Sequence, residues 1–157
     1  KLDLGESGRE GMPTDERLKR FAEDSGDVSL YTLLFDFARY LTIASSRKGT
    51  QATCLQGIWN ESITPPWRSN YTVNINTEMN YWCTLMCGLD ECFEPLIGFM
   101  RDRCEAGKAT ASHYYHARGT VMHHNSDIWA HTTGVTNNAQ WGFWNGSMGW
   151  ASQAMSR

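Results

Sequence analysis

Between Asp27 and Ser45 the apolar residues Leu30, Leu33, Leu34, Phe37, Ala38 and Leu41 recur at i, i+3, i+4, i+7, i+8 and i+11, the spacing of one helical face. The pattern predicts an amphipathic helix ending near Ser45, with Asp27 as its N-cap. Before it, a Gly-rich, charged stretch reads as loop, and Pro13-Thr14-Asp15-Glu16 opens a short helix to about Phe21 with acids in its first turn. Arg47 to Cys54 reads as loop. From Leu55 to Trp67 the successive prolines Pro65 and Pro66 disfavour helix and predict an extended, irregular path. Polar and apolar residues alternate from Tyr71 to Asn76, so an extended backbone there would point Thr72, Asn74 and Asn76 to one side.

Asn76 can also cap a helix whose buried stripe is Met79, Trp82, Cys83, Met86 and Cys87, ended by Gly88. Asp90 begins another, with Phe93, Leu96, Ile97 and Met100 inward, Pro95 in its first turn and Gly107 closing it. Further helices are expected over Lys108 to His116 and from about Ala139, and only the surroundings of Val121 suit a strand. Helix after helix with polar loops between them implies an all-α array of hairpins.

At 157 residues the chain has room for one core. A formal net charge of −3, with both signs interspersed, offers no basic field for nucleic acid. No apolar run is long enough for a membrane span, and the opening residues lack the apolar core of a signal peptide. Five cysteines without CxxC pairing argue against a disulfide framework or zinc ribbon and read as mostly buried thiols. Seven tryptophans stand among many Asn, Thr and His residues. Aromatic faces beside neutral hydrogen-bonding groups suit a sugar; on composition alone the same rings read as core. His123, His124 and Asp127 lack the i, i+4 pairing of a zincin and any fourth ligand, so no metal or other cofactor is expected.

Three segments carry a more specific signal. Leu55-Gln56-Gly57-Ile58-Trp59-Asn60, then Thr64-Pro65-Pro66-Trp67, then Asn74-Ile75-Asn76 followed by Met79-Asn80-Tyr81-Trp82 resemble, in order and spacing, the signature region of glycoside hydrolase family 95. Pro13 to Leu18, Arg39-Tyr40-Leu41, His123 to Trp129 and Trp141-Gly142 are similar to flanking family segments.

The resemblance implies an (α/α)6 barrel with a central cavity for a terminal α-L-fucosyl sugar, of which residues 1–157 would be only the N-terminal hairpins, a partial catalytic domain. It further implies inverting hydrolysis of fucosylated glycans, α-1,2 linkages being the expected target, in which an asparagine carbonyl accepts the water's proton. By motif position those asparagines are Asn74 and Asn76. Without the motif, Asn76 reads as a helix cap and Asn74 as a turn residue. Trp59, Trp67, Thr72, His124, Asn125, Trp129 and Trp141 are the expected sugar contacts. The family's general acid and base-assisting carboxylate are expected beyond these residues, which would leave this piece inactive without the remainder of its domain. Family habit implies an exported, extracellular or periplasmic enzyme. The chain departs from the family at Ala52-Thr53-Cys54, at Cys83-Thr84-Leu85, where a pocket carboxylate is lost, and at Trp144 to Gly149. A noncatalytic carbohydrate-binding or structural helical module is the alternative, and a helical partner-binding protein a third.

Overall fold

A computed structural model describes residues 1–136 and 138–153. Six α-helices account for most of the regular structure among them: α1 Thr14–Phe21, α2 Ser29–Ser45, α3 Asn76–Trp82, α4 Glu94–Tyr115, α5 Ala139–Gly142 and α6 Ser147–Gln153. Short 3-10 turns occupy Pro66–Ser69 and Asp90–Phe93. Two antiparallel two-residue strands, β1 Tyr71–Thr72 and β2 Asn125–Ser126, pair Tyr71 with Ser126 and Thr72 with Asn125. The chain divides into two compact units, Lys1–Leu41 and a second beginning at Thr42.

The first unit is organised around charge. Arg17 and Asp27 are both buried and meet as a two-pronged pair, Nε to Oδ2 at 2.9 Å and Nη2 to Oδ1 at 2.8 Å. Ser7 and Ser29 hydroxyls also donate to the same carboxylate. Asp27 therefore serves a guanidinium and two hydroxyls rather than capping α2 as its spacing suggested. The arginine and hydroxyl bonds hold its carboxyl well below the usual carboxylate range. Helix α2 has nearly the expected bounds, but of its apolar stripe only Leu30 is buried; Leu33, Leu34 and Phe37 are exposed.

The second unit has the apolar core, where Tyr71, Val73, Tyr81, Phe93, Leu96, Phe99, Met100 and Met122 cluster. Its phase differs from the expectation for α3. Thr77, Tyr81 and Thr84 are buried, whereas Met79, Trp82, Cys83 and Met86 are exposed. Tyr81 decides the phase. Its hydroxyl bonds Ser46 at 2.7 Å and accepts from the Thr53 N–H at 2.8 Å, and its ring meets Phe93 edge-on. The helix stops at Trp82, and turns carry the chain to Gly88 at φ +63°.

Helix α4 is one element, not two: it runs through Gly107 to Tyr115 and ends at His116 in the left-handed region. Gly107 is needed for close approach instead. A Cβ there would stand 2.5 Å from the Val121 carbonyl oxygen and closer still to Thr120 Oγ1. Val121 lies in that buried irregular segment; the strand falls four residues later. Ile97 is more than a third exposed, its inward place taken by Phe99 and Arg103. The expected last helix is split into α5, capped by the Asn138 side chain, and α6. Of the five cysteines only Cys92 is buried and Cys83 is exposed, so the reading of mostly buried thiols does not hold.

Candidate functional site

The ladder between β1 and β2 places Thr72 directly opposite Asn125, and one further backbone bond, from the Val73 N–H to the His124 carbonyl at 2.7 Å, continues it. After Thr72 the extended path breaks into a turn over residues 73–75, and Asn76 opens α3. The alternation that was expected to align Thr72, Asn74 and Asn76 on one strand face thus stops at the first of them. Asn74 lies in the turn and Asn76 at the first helical position, both exposed. Asn76 makes no side-chain cap; the residue before the helix is Ile75, without a side-chain cap bond.

Opposite this turn a directed hydrogen-bond chain is built from side chains. The Gly142 carbonyl can only accept, so His124 Nδ1, 3.3 Å away, carries the proton. His124 Nε2 is then the acceptor for the Asn125 amide nitrogen at 2.9 Å. That fixes which way the Asn125 carboxamide points. Its oxygen is left buried with no hydrogen-bond partner, an open acceptor beside Thr72, whose own hydroxyl donates to Asn70 Oδ1 at 2.9 Å.

Arg103 holds this segment from below. Fully buried on α4, it donates from Nε to Ser126 Oγ at 3.0 Å, from Nη1 to the Phe99 carbonyl at 3.2 Å and from Nη2 to the Asp127 carbonyl. The guanidinium also lies 3.7 Å from the centre of the Phe99 ring. Two of these bonds join β2 and the loop after it to α4, and the third, to Phe99, fixes the fork against its own helix. His123, fully buried next to His124, plays a separate structural part. It accepts the Trp144 N–H at Nδ1, 3.1 Å away, so Nε2 donates to the Tyr115 hydroxyl at 3.2 Å. Burial, with His124 adding to it, pushes its pKa down and keeps the ring neutral.

None of the seven tryptophans is buried, so the reading of these rings as core fails here. Trp67 is 80 % and Trp129 83 % exposed, and Trp59 and Trp141 are exposed as well. The Trp59 ring lies over Gly57, where a Cβ would come within 2.8 Å of it. Trp141 precedes the Gly142 carbonyl that orients His124. Trp67 sits in three successive residues with positive φ, Trp67, Arg68 and Ser69, a costly conformation for residues with a Cβ. Of the expected contacts, then, Thr72, His124 and Asn125 are brought together, Trp141 adjoins them through Gly142, and the others are placed on exposed loops.

One residue that sequence reasoning passed over stands out. Glu78 has both carboxylate oxygens buried without a hydrogen-bond partner, and burial pushes its pKa up to about 7. Glu78 is among the residues lining a cavity of about 470 Å³, with Tyr81, Trp82, Phe93 and Trp150. The signal was present: Glu78, Tyr81, Trp82 and Leu85 fall at i, i+3, i+4 and i+7, an acid within an apolar stripe. Among the described residues no group of three or more His, Cys, Asp and Glu side chains is placed to hold a metal, and no helix is long and apolar enough to cross a membrane.

Comparison with known proteins gives these features a setting. The chain is 45% identical over 139 residues to alpha-L-fucosidase 2 of Arabidopsis thaliana, covering 88% of this chain and 16% of that protein. It is 37% identical over 148 residues to a probable alpha-fucosidase A of Aspergillus niger, covering 93% of this chain and 18% of that one. A probable alpha-fucosidase A of Aspergillus oryzae is 35% identical over 114 residues, 72% of this chain. The chain thus spans under a fifth of the length of the curated relatives it matches. The family model described as the glycosyl hydrolase family 95 catalytic domain matches residues 1–157, and the chain belongs to that family.

Proposed function

We propose that these residues are part of the catalytic domain of an inverting α-L-fucosidase, the N-terminal hairpins of an (α/α)6 barrel, with Asn74 and Asn76 on the base side of the reaction. Family membership and relatives named as fucosidases support the activity. The observation that carries the site is the directed chain from the Gly142 carbonyl through His124 to Asn125, which leaves a buried acceptor, Asn125 Oδ1, unused. An unpaired buried carbonyl costs stability unless a ligand donates to it, and a sugar hydroxyl is such a donor. Asn74 follows Thr72, the ladder partner of Asn125, by two residues.

In the reaction a water oxygen attacks the anomeric carbon from the face opposite the leaving group, and the glycosidic C–O bond breaks. The water's proton passes to an asparagine carbonyl, and a general acid protonates the departing oxygen. A carboxamide is a weak base, so it acts only when held in place and polarised by a neighbour. The acid and the polarising carboxylate are supplied by further parts of the domain. Exposed Trp67 and Trp129 offer faces for sugar C–H groups.

The test is release of L-fucose from an α-1,2-fucosylated oligosaccharide by a chain extended to the length of its relatives. Asn74→Ala and Asn76→Ala should each lower kcat by about a hundredfold or more, with folding unchanged by circular dichroism. Sugar binding with no release by the extended parent would favour a noncatalytic carbohydrate-binding module instead.

A further inference from the structure

The Glu78 cavity is lined by residues of α3, α4, α6 and the turns between them, and its rings are those of Tyr81, Trp82, Phe93 and Trp150. Among the described residues its ionisable lining is Glu78, Asp90 and Tyr81, with no Lys, Arg or His. Burying a carboxylate with neither a counter-charge nor a hydrogen bond is among the costliest things a fold can do. Here neither oxygen of the Glu78 carboxylate has a hydrogen-bond partner on any other residue. A second acid and four aromatic rings line the same cavity, and both kinds of group favour a cation.

The shape of the vacancy narrows the cation. Two free oxygens on one planar carboxylate match two parallel N–H groups, which a guanidinium presents and an ammonium does not. A guanidinium also stacks flat on indole, and Trp82 and Trp150 supply indoles. The source is narrowed by length, since this chain matches about a sixth of each fucosidase relative and the bulk of a family 95 chain remains to be packed.

We propose that the cavity is a socket for an arginine side chain carried by a segment of the catalytic domain outside residues 1–157, paired with Glu78 and stacked between indoles. The socket lies apart from the asparagine site. On α3, Asn76 and Glu78 are two residues apart and so point to opposite sides of the helix. The inference concerns how the domain closes on itself and stands whether or not Asn74 and Asn76 do the chemistry.

Burial without a partner pushes the Glu78 pKa up to about 7, so in residues 1–157 alone the folded state holds the proton more tightly than the unfolded one. Its stabilising effect is present below about pH 4.5 and lost as the pH rises through 7. An arginine partner reverses the sign. The experiment compares Tm at pH 8 for the parent and Glu78→Gln in two chains, residues 1–157 and a chain extended to the length of its relatives. The substitution should raise Tm in residues 1–157, where it removes an orphan charge. It should lower Tm in the extended chain, by about 3 °C or more, where it leaves a guanidinium unpaired. A Tm that rises or stays level in both chains overturns the proposal, as does a Tm that falls in residues 1–157, since the carboxylate would then already have its partner. N-acetyl-L-arginine amide provides the last arm. If it raises Tm of the extended parent but not of Glu78→Gln, the socket is open to free ligands and no segment of the chain fills it.

Discussion

Asp27 illustrates how one side chain can be more consequential than its place in a pattern suggests. It joins Arg17, Ser7 and Ser29 within the first unit, and its removal leaves a buried guanidinium without a counter-charge. Asp27→Asn should lower the Tm followed by circular dichroism, and by more than the exposed-site control Asp15→Asn, whose parent aspartate makes an exposed pair with Lys19. Because the folded-state pKa of Asp27 is depressed, its contribution is present above the unfolded value, about 3.9. It fades as the pH falls below that value, and the Tm gap between parent and variant should shrink in the same window. None of this was legible in the spacing, which marks Asp27 only as an acid before a helix. The Arg17 partner is ten residues away, and side-chain pairing at that range depends on how the intervening turn folds. Asn125 is a converse case. Its motif singled it out, but only the tautomer forced on His124 by the Gly142 carbonyl shows which of its two amide atoms is free.

At the scale of elements, existence was easier to read than phase or extent. Helices α1 and α2 appear nearly where the apolar period and the start signals put them, because both depend on local spacing. In helix α3 the spacing of Met79, Trp82 and Met86 marks one face as inner, whereas the Tyr81 hydroxyl, bound to Ser46 and Thr53, turns the other side inward. Glycine ends many helices, but Gly107 instead lets residues 120–121 touch α4. Gly107→Ala should therefore destabilise the second unit by about 1–3 kcal/mol through overpacking, although alanine is the better helix former. A fall in Tm on thermal melting would confirm the close approach, and a rise would show that only helix propensity matters. The left-handed run Trp67–Ser69 makes the opposite case. Each of its residues bears a cost of about 1–2 kcal/mol that glycine would not, so Arg68→Gly should raise Tm. Side chains kept there against that cost have some use other than backbone preference.

For the molecule as a whole, the family signature was legible in short words along most of the chain, and the family match covers all of it. What the words could not convey is how much apolar surface these residues leave uncovered. Leu34, Phe37, Ile63, Met86 and Trp129 are all more than half exposed, well beyond the scattered apolar residues that need no explanation. Residues 1–157 alone should bind a hydrophobic dye and self-associate with rising concentration in sedimentation velocity, while an extended chain should do neither. Monomeric, dye-free behaviour of the short chain would mean that those side chains find cover within it. The exposed indoles have one more consequence, an optical one. With six of seven tryptophans facing water, folding of this stretch leaves its intrinsic emission close to that of solvated indole. A later shift toward the blue would report something settling over the rings, be it a sugar or the rest of the barrel, so the chain bears its own label for the moment of covering.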